Sequence, residues 1–359
     1  MGDVLFRRYQ ESGYTIFFDR KSGVFIRMGN SGDDPFFNSK GPELLDISIT
    51  NYCEKGCSFC YRASNPLGQH MELKDYCRLL EQAQRAGVLQ IALGGGNPNQ
   101  HPDFIRILEQ TRRHSIIPSY TTNGQGMTEE IYRATKELCG ALAVSWYAPY
   151  LDAKKVISKC KKYGIKVNIH FLLSKQTIRE AIRLLQEETE LLQQVNAIIF
   201  LNYKPIHSTA DWCLTDDDNL LEFLDTVNEI KDCKIGFDSC MISYLTISEQ
   251  KLVPETVEFC EAARFSAFIA EDSFMYPCSF MRDTKYSGID LTQMTLQDAW
   301  QTGELFLKMR NALQTPGKQE YPIDDCSRCN QYVFCHGGCQ IFNINKCRKG
   351  IRDERNLVG

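Results

Sequence analysis

Net positive charge, basic tracts and long apolar runs are all missing from this chain of 359 residues. Its 41 Lys and Arg against 45 Asp and Glu give a formal net charge of −4. Nothing in the composition attracts a phosphate backbone, so a nucleic-acid partner is not expected. The longest apolar stretch, around 140–151, is broken by Ser145, Tyr147 and Pro149 and is far too short to span a bilayer. The opening MGDVLFRRYQESG lacks the basic start, apolar core and small-residue cleavage site of an export signal. Phe6 also stands where a myristoylation motif wants Ser or Thr. The expectation is a cytoplasmic protein with no membrane partner. No internal repeat or low-complexity segment is evident.

What is plentiful is cysteine, sixteen in all. In a reducing compartment these read as thiols and metal ligands rather than disulfides. Hydrophobic content of 43% and charged content of 24% are those of an ordinary globular protein, and the length suits about two domains.

Residues 14–18 and 24–27 alternate apolar and polar about Arg20, Lys21, Ser22 and Gly23, predicting a hairpin within a lead-in at 1–43. From Leu44 strands and helices alternate. Strand-like runs lie at 44–49, 90–93, 119–122, 141–145, 166–172 and 197–201, with helical periodicity at 73–86, 102–114, 129–139 and 175–194. Six such units predict a parallel sheet with helices outside, two units short of a closed eight-fold barrel. A seventh run at 234–237 precedes Cys240, which puts a domain boundary near Asp232. Beyond it the chain is loop-rich, with one helix at 296–312.

Cys53, Cys57 and Cys60 form CxxxCxxC on the loop after the first buried strand, with Phe59 before the third cysteine. Three thiolates hold three irons of a cubane and leave the fourth open, whereas structural zinc wants four ligands. Three unrelated core cysteines are the bland alternative. Further on come Cys240, Cys260, Cys278, Cys326, Cys329, Cys335, Cys339 and Cys347, eight cysteines that fill two four-ligand sites. A zinc ribbon at 326–329 is the alternative there.

These residues resemble the radical SAM superfamily with a C-terminal SPASM extension, as in peptide-modifying maturases. The resemblance implies an α/β fold, a partial (β/α)6 TIM-like barrel at 44–232, and a small cysteine-rich SPASM domain at 233–359. It implies that S-adenosylmethionine chelates the open iron and is cleaved to a 5′-deoxyadenosyl radical that abstracts a hydrogen atom. It further implies three four-iron clusters. Cys53, Cys57 and Cys60 would hold the first; Cys240, Cys260, Cys278 and Cys339 the second; Cys326, Cys329, Cys335 and Cys347 the third. The sequence at 271–273 is Glu-Asp-Ser, where the family usually has a Gly in the turn of a hairpin that delivers Cys278.

Ligands of parallel sheets lie at the carboxyl ends of strands. After the second strand, Gly94, Gly95, Gly96, Asn97 and Pro98 resemble the family's Gly-Gly-Glu-Pro, with Asn97 in place of Glu. The amide oxygen is expected to accept a hydrogen bond from the methionyl amino group. Thr122 and Asn123, in a Thr-Asn-Gly motif, and Ser145 after the fourth strand complete the expected cofactor contacts with Phe59, Gly95 and Gly96. His170 and Asn168 share one face of the fifth strand, and Lys204 is either a carboxylate ligand or a solvated rim residue. Asp238, before Asp272, is the candidate proton acceptor near the later cysteines, and Cys213 the candidate hydrogen donor among Cys77, Cys139, Cys160, Cys213 and Cys233.

The function expected is oxidative modification of a peptide or protein, such as a cross-link or thioether. A flavodoxin or ferredoxin would supply the electron. The lead-in is too short for a fused winged-helix peptide-binding domain. Alternatives are a small-molecule radical SAM dehydrogenase, a peptide epimerase using Cys213, and a non-catalytic iron–sulfur or zinc scaffold.

Overall fold

A computed structural model describes residues 4–31, 34–206, 210–215, 217–231, 233–246, 257–318, 320, 326, 329 and 331–346. The chain forms two compact units, each discontinuous in sequence: Met1–His170, Gln194–Asn196 and Ala262–Arg310 make the first, and Phe171–Gln193, Ala197–Glu261 and Asn311–Gly359 the second.

The first unit opens on an antiparallel sheet of β1 (Val4–Tyr9), β2 (Tyr14–Asp19) and β3 (Phe25–Gly29). This is one strand more than the predicted hairpin. Strand β1 escapes the sequence pattern because Arg7 and Arg8 interrupt its alternation, yet it pairs with β2 along its whole length. Tyr14, Ile16 and Phe18 of β2 bury their side chains with Leu89, Ile117 and Phe265.

Strand–helix alternation follows as read from the sequence: β4 (Leu44–Thr50), α1 (Leu73–Ala86), β5 (Gln90–Gly95), α2 (Phe104–Arg113), β6 (Ile117–Thr122), α3 (Glu129–Leu138), β7 (Ala141–Ser145), α4 (Leu151–Tyr163) and β8 (Val167–Leu173). Neighbours in this run of strands pair in parallel. Each strand presents an apolar face and a more polar one. On β4, Leu45, Ile47 and Ile49 are buried between Asp46, Ser48 and Thr50; on β8, Val167 and Ile169 are buried while Asn168 and His170 are half-buried on the other side. Helix ends obey local chemistry: Thr128 Oγ1 caps α3 through the Ile131 N–H, and Gly87 ends α1 at φ +88°.

The second unit takes the last three residues of β8, then α5 (Ile178–Glu187), α6 (Thr189–Leu192), β9 (Ala197–Asn202), α7 (Asp218–Glu229), β10 (Lys234–Phe237) and α8 (Ile242–Leu245). Strand β10 lies parallel to β9. The single helix predicted at 175–194 is two, because Glu188 between them leaves the helical region at ψ 39°.

The chain then returns to the first unit. Strand β11 (Ser266–Ile269) pairs in parallel with the free side of β4, and β12 (Phe274–Tyr276) and β13 (Ile289–Asp290) continue antiparallel. Helices α9 (Leu296–Thr302) and α10 (Glu304–Gln314) replace the one predicted helix at 296–312. Gly303 separates them at ψ 125°, and a Cβ there would lie 2.3 Å from Ala299 O, so no larger residue fits the corner. A last turn, α11 (Tyr332–Cys335), belongs to the second unit. The expected boundary residue Asp232 lies outside the described residues. Among the described residues no helix is long and apolar enough to cross a membrane.

Candidate functional site

The loop carrying Cys53, Cys57 and Cys60 stands at the carboxyl ends of β4 to β7. Asn123, just past β6, donates from Nδ2 to Cys53 Sγ at 3.4 Å. Phe59 packs edge-on against Tyr147, beyond β7, with ring centroids 4.9 Å apart. Burial pushes the Tyr147 hydroxyl up to about 12, with Cys57, Cys60 and Cys53 adding to the rise against a hydrogen bond from Ser145. Burial likewise raises the Cys57 thiol; Lys55 opposes this, and Cys60 and Cys53 reinforce it. Three thiols, Ser145, Asn123 and two aromatics are thus neighbours in one unit. Among the described residues no three His, Cys, Asp or Glu side chains converge as around a single metal ion. A cubane asks for something else, because each of its thiolates takes a different iron. A three-thiol loop of this kind suits it.

The glycines beside this loop divide by role. Gly95 is held at φ +107°, and a Cβ there would meet Thr50 O at 2.1 Å; at Gly96 it would meet Tyr52 O at 2.0 Å. Both allow β5 to pass close to the end of β4, where the Gly96 N–H donates to Thr50 O at 2.7 Å. At Gly94 a Cβ would meet nothing within 4 Å. Open space next to a strand end is what a bound cofactor needs, and the sequence pattern alone did not single this glycine out.

Asn97 is buried, and its amide is engaged by the chain itself. Oδ1 accepts from the Asn123 N–H at 3.2 Å and lies 3.1 Å from Thr122 Oγ1, while Nδ2 donates to Gln125 O at 2.9 Å. Gln125, a partner that no motif announced, follows Gly124 at φ +90° in the turn after β6.

Tyr61 and Arg62 were likewise silent in sequence. Tyr61 stacks at a tilt on Phe280, 4.8 Å between centroids, and burial raises its hydroxyl well above the ordinary tyrosine value, with Arg62 opposing and Asp46, Cys60 and Cys278 contributing. Cys278 therefore lies near the end of the first cysteine loop, within the first unit. Asp272 is on the exposed turn before β12, paired with Arg282 at 2.7 Å.

In the second unit Cys240 and Cys339 are hydrogen-bonded to each other, and this contact together with burial raises the Cys240 thiol. Asn345 brackets Cys339, accepting its N–H at 2.7 Å and donating to its carbonyl at 2.9 Å. Asp238 accepts the Asn202 N–H at 3.2 Å and forms an ion pair with Lys204. Lys204 is therefore not a solvated rim residue: its side chain is 2% exposed and its ammonium is paired with the chain's own Asp238. Burial opposes its charge, but Asp238 and Cys240 outweigh that and hold the ammonium above the ordinary lysine value. Cys213 is half-buried after the turn at Ala210–Trp212, and burial raises its thiol against the pull of Lys346. The Cys329 N–H donates to Cys326 O at 3.2 Å, and Cys335 ends α11. Cys260 is half-buried, and Cys347 lies outside the described residues.

Residues 47–187 match the family model of the Radical SAM superfamily. The chain carries a radical SAM domain. Over 328 residues it is 20% identical to mycofactocin maturase MftC of Mycobacterium tuberculosis (strain ATCC 25618 / H37Rv), covering 83% of this chain and 78% of that protein. It is 22% identical over 331 residues to the PqqA peptide cyclase of Granulibacter bethesdensis, covering 83% and 82%. Its fold is that of Streptococcus suis SuiB. The structures of SuiB bound to S-adenosylmethionine and to precursor peptide SuiA give TM-scores of 0.73 and 0.72 at 16% identity, covering 94% of this chain and 95% and 94% of theirs.

Proposed function

We propose that this protein is a radical SAM enzyme that oxidatively modifies a peptide or protein substrate. The observation that carries the reading is the three-cysteine loop set at the strand ends, with Asn123 aimed at Cys53 Sγ, in a chain similar over four-fifths of its length to peptide-modifying enzymes.

Cys53, Cys57 and Cys60 would hold the first four-iron cluster. Gly94, with Gly95, Gly96, Thr122, Asn123, Ser145 and Phe59 near it, would contact S-adenosylmethionine. When bound, cluster and cofactor supply one-electron reductive cleavage and hydrogen-atom abstraction. The chain's part is to bind, orient and keep water out. Phe59 and Tyr147 pack together beside the cysteine loop, and Asn168 and His170, on the more polar face of β8, would face the substrate.

The number and spacing of the later cysteines support two auxiliary clusters. Fully ligated clusters have no open iron for substrate, so they fit electron acceptors, with Asp238 the proton acceptor. A flavodoxin or ferredoxin in the cytoplasm would deliver the reducing electron. Residues 44–232 carry the first task in this scheme and 233–359 the second.

The test is anaerobic reconstitution. The full chain should take up about twelve irons for three cubanes, release 5′-deoxyadenosine, and yield a peptide product lighter by two hydrogens. Replacing Cys53, Cys57 and Cys60 together by Ala should abolish 5′-deoxyadenosine while keeping about two-thirds of the iron. Bound zinc with about four irons per chain would remove the auxiliary clusters from the scheme. A product of unchanged mass carrying one solvent deuterium would make the enzyme an epimerase and move the decisive role to a hydrogen donor such as Cys213.

A further inference from the structure

A closed circuit of hydrogen bonds leads from the end of β5 to the sulfur of Cys53. Asn97, 1% exposed, has both sides of its amide in use, as described above. Asn99 repeats the pattern beside it, Oδ1 accepting from Thr122 Oγ1 at 2.6 Å and Nδ2 donating to Gln125 O at 2.7 Å. Asn123 is fixed by the same group of residues. Its N–H goes to Asn97 Oδ1, and its own Oδ1 accepts the Gln125 N–H at 2.9 Å. That second bond decides which way the Asn123 amide faces. With the oxygen on the Gln125 N–H, Nδ2 is the atom that points at Cys53 Sγ; flipping it would set the oxygen against the sulfur.

The circuit also specifies an amide at position 97. An ionised acid there would have no proton for Gln125 O and would face one acceptor with another. The single Thr122 hydroxyl proton goes to the nearer Asn99 Oδ1, but Asn97 is 1% exposed, its Oδ1 accepts the Asn123 N–H and its Nδ2 is held by Gln125 O, so its amide presents no open face to a methionyl N–H.

We propose that Asn97 is a positioning residue that acts through Asn123 on Cys53, raising the reduction potential of the cluster on Cys53, Cys57 and Cys60 rather than binding S-adenosylmethionine. The inference rests on the cluster-binding reading of that loop. An N–H donated to a ligating thiolate withdraws electron density and favours the reduced cluster, which is the more negative state. A neutral amide in place of an acid removes one negative charge from the neighbourhood and works in the same direction.

The experiment is an EPR-monitored redox titration of the reconstituted full-length protein. It follows the cluster signal that changes when S-adenosylmethionine is added. Asn123→Ala should lower the equilibrium constant for one-electron reduction by about tenfold, ~59 mV more negative, and Asn97→Ala should shift it the same way. S-adenosylmethionine affinity of Asn97→Ala should stay within about twofold of wild type, since no direct contact is lost. Unchanged potential in Asn97→Ala, with affinity falling tenfold or more, would make Asn97 a direct cofactor ligand and overturn the proposal. If Asn97→Ala fails to take up iron, Asn123→Ala decides alone, and an unchanged potential overturns the proposal. A wild-type protein with no signal responsive to S-adenosylmethionine would instead refute the radical-enzyme reading itself.

Discussion

Arg62 Nη2 lies 2.9 and 2.8 Å from the two carboxylate oxygens of Glu271, while Nη1 reaches Asp283 at 2.6 Å. Ser48 Oγ adds a hydrogen bond to Glu271 at 2.8 Å. Arg62 follows Cys60 by two residues, and Glu271 occupies the turn between β11 and β12 that precedes Cys278. The pair therefore ties the first cysteine loop to the hairpin through side chains that are 1% and 9% exposed. Glu271 belongs to the very turn where the resemblance led one to expect glycine.

The two ends of this clamp should not be equal. Arg62→Ala leaves the Glu271 carboxylate buried without its cation, which costs about 3–5 kcal/mol. Glu271→Ala leaves Arg62 still paired with Asp283 and should cost clearly less. Urea unfolding of both variants measures the difference, and iron content after reconstitution should fall in the same order. Equal losses would mean that Asp283 contributes nothing to holding Arg62.

Three consecutive glycines should respond differently to one methyl group. Gly95→Ala and Gly96→Ala drive a Cβ to about 2 Å from the carbonyls of Thr50 and Tyr52, and overpacking of this kind costs roughly 1–3 kcal/mol or more. Gly94→Ala meets open space, so its thermal midpoint should stay close to wild type. Its methyl group should instead weaken S-adenosylmethionine binding, as read by equilibrium dialysis. Full affinity in Gly94→Ala would place the cofactor elsewhere.

Much of this arrangement was readable before the fold was known. Period-two apolar runs gave the parallel strands because each buries one face under a helix, and that physics is local. The cysteine spacing was equally local. Arg62, Gln125 and Tyr147 were not visible, since their partners are 209, 28 and 88 positions away in the case of Glu271, Asn97 and Phe59. No window of sequence contains such a pair. Asn97 was visible, but its employment was not: a motif says which position matters, and only the geometry says that its oxygen is already occupied. Breaks at Glu188 and Gly303 were missed because helical periodicity runs on through a one-residue corner.

His170 should impose a pH dependence on stability. It is half-buried on β8, with Thr121 Oγ1 3.3 Å from Nδ1, and burial lowers its pKa to about 4. In the unfolded chain it titrates near 6.5. Between those values the unfolded chain binds a proton that the folded chain does not, so stability is lost as pH falls through 6.5 towards 4. Urea unfolding at neutral pH and near the middle of that window should show wild type losing more stability on acidification than His170→Gln. Parallel losses would mean that His170 titrates normally in the fold.

Asp238, half-buried, and Lys204, buried, form an ion pair whose removal separates structure from chemistry. Asp238→Asn strands the Lys204 ammonium, 2% exposed, beside Cys240, and an uncompensated buried charge costs about 3–5 kcal/mol. Loss of product in that variant alone proves little, because the Cys240 region would be disturbed with it; Asn202 holds both Asp238 and Cys240 O, the latter at 3.1 Å. The double variant Lys204→Met/Asp238→Asn removes both charges and should recover most of the stability, as replacement of a buried pair by neutral groups generally does. If Asp238 takes the proton during substrate oxidation, the double variant should fold, retain its iron and release 5′-deoxyadenosine, yet form no oxidised peptide. Oxidised product at the wild-type rate would show that the carboxylate serves only to neutralise Lys204, and the proton acceptor would have to be sought elsewhere.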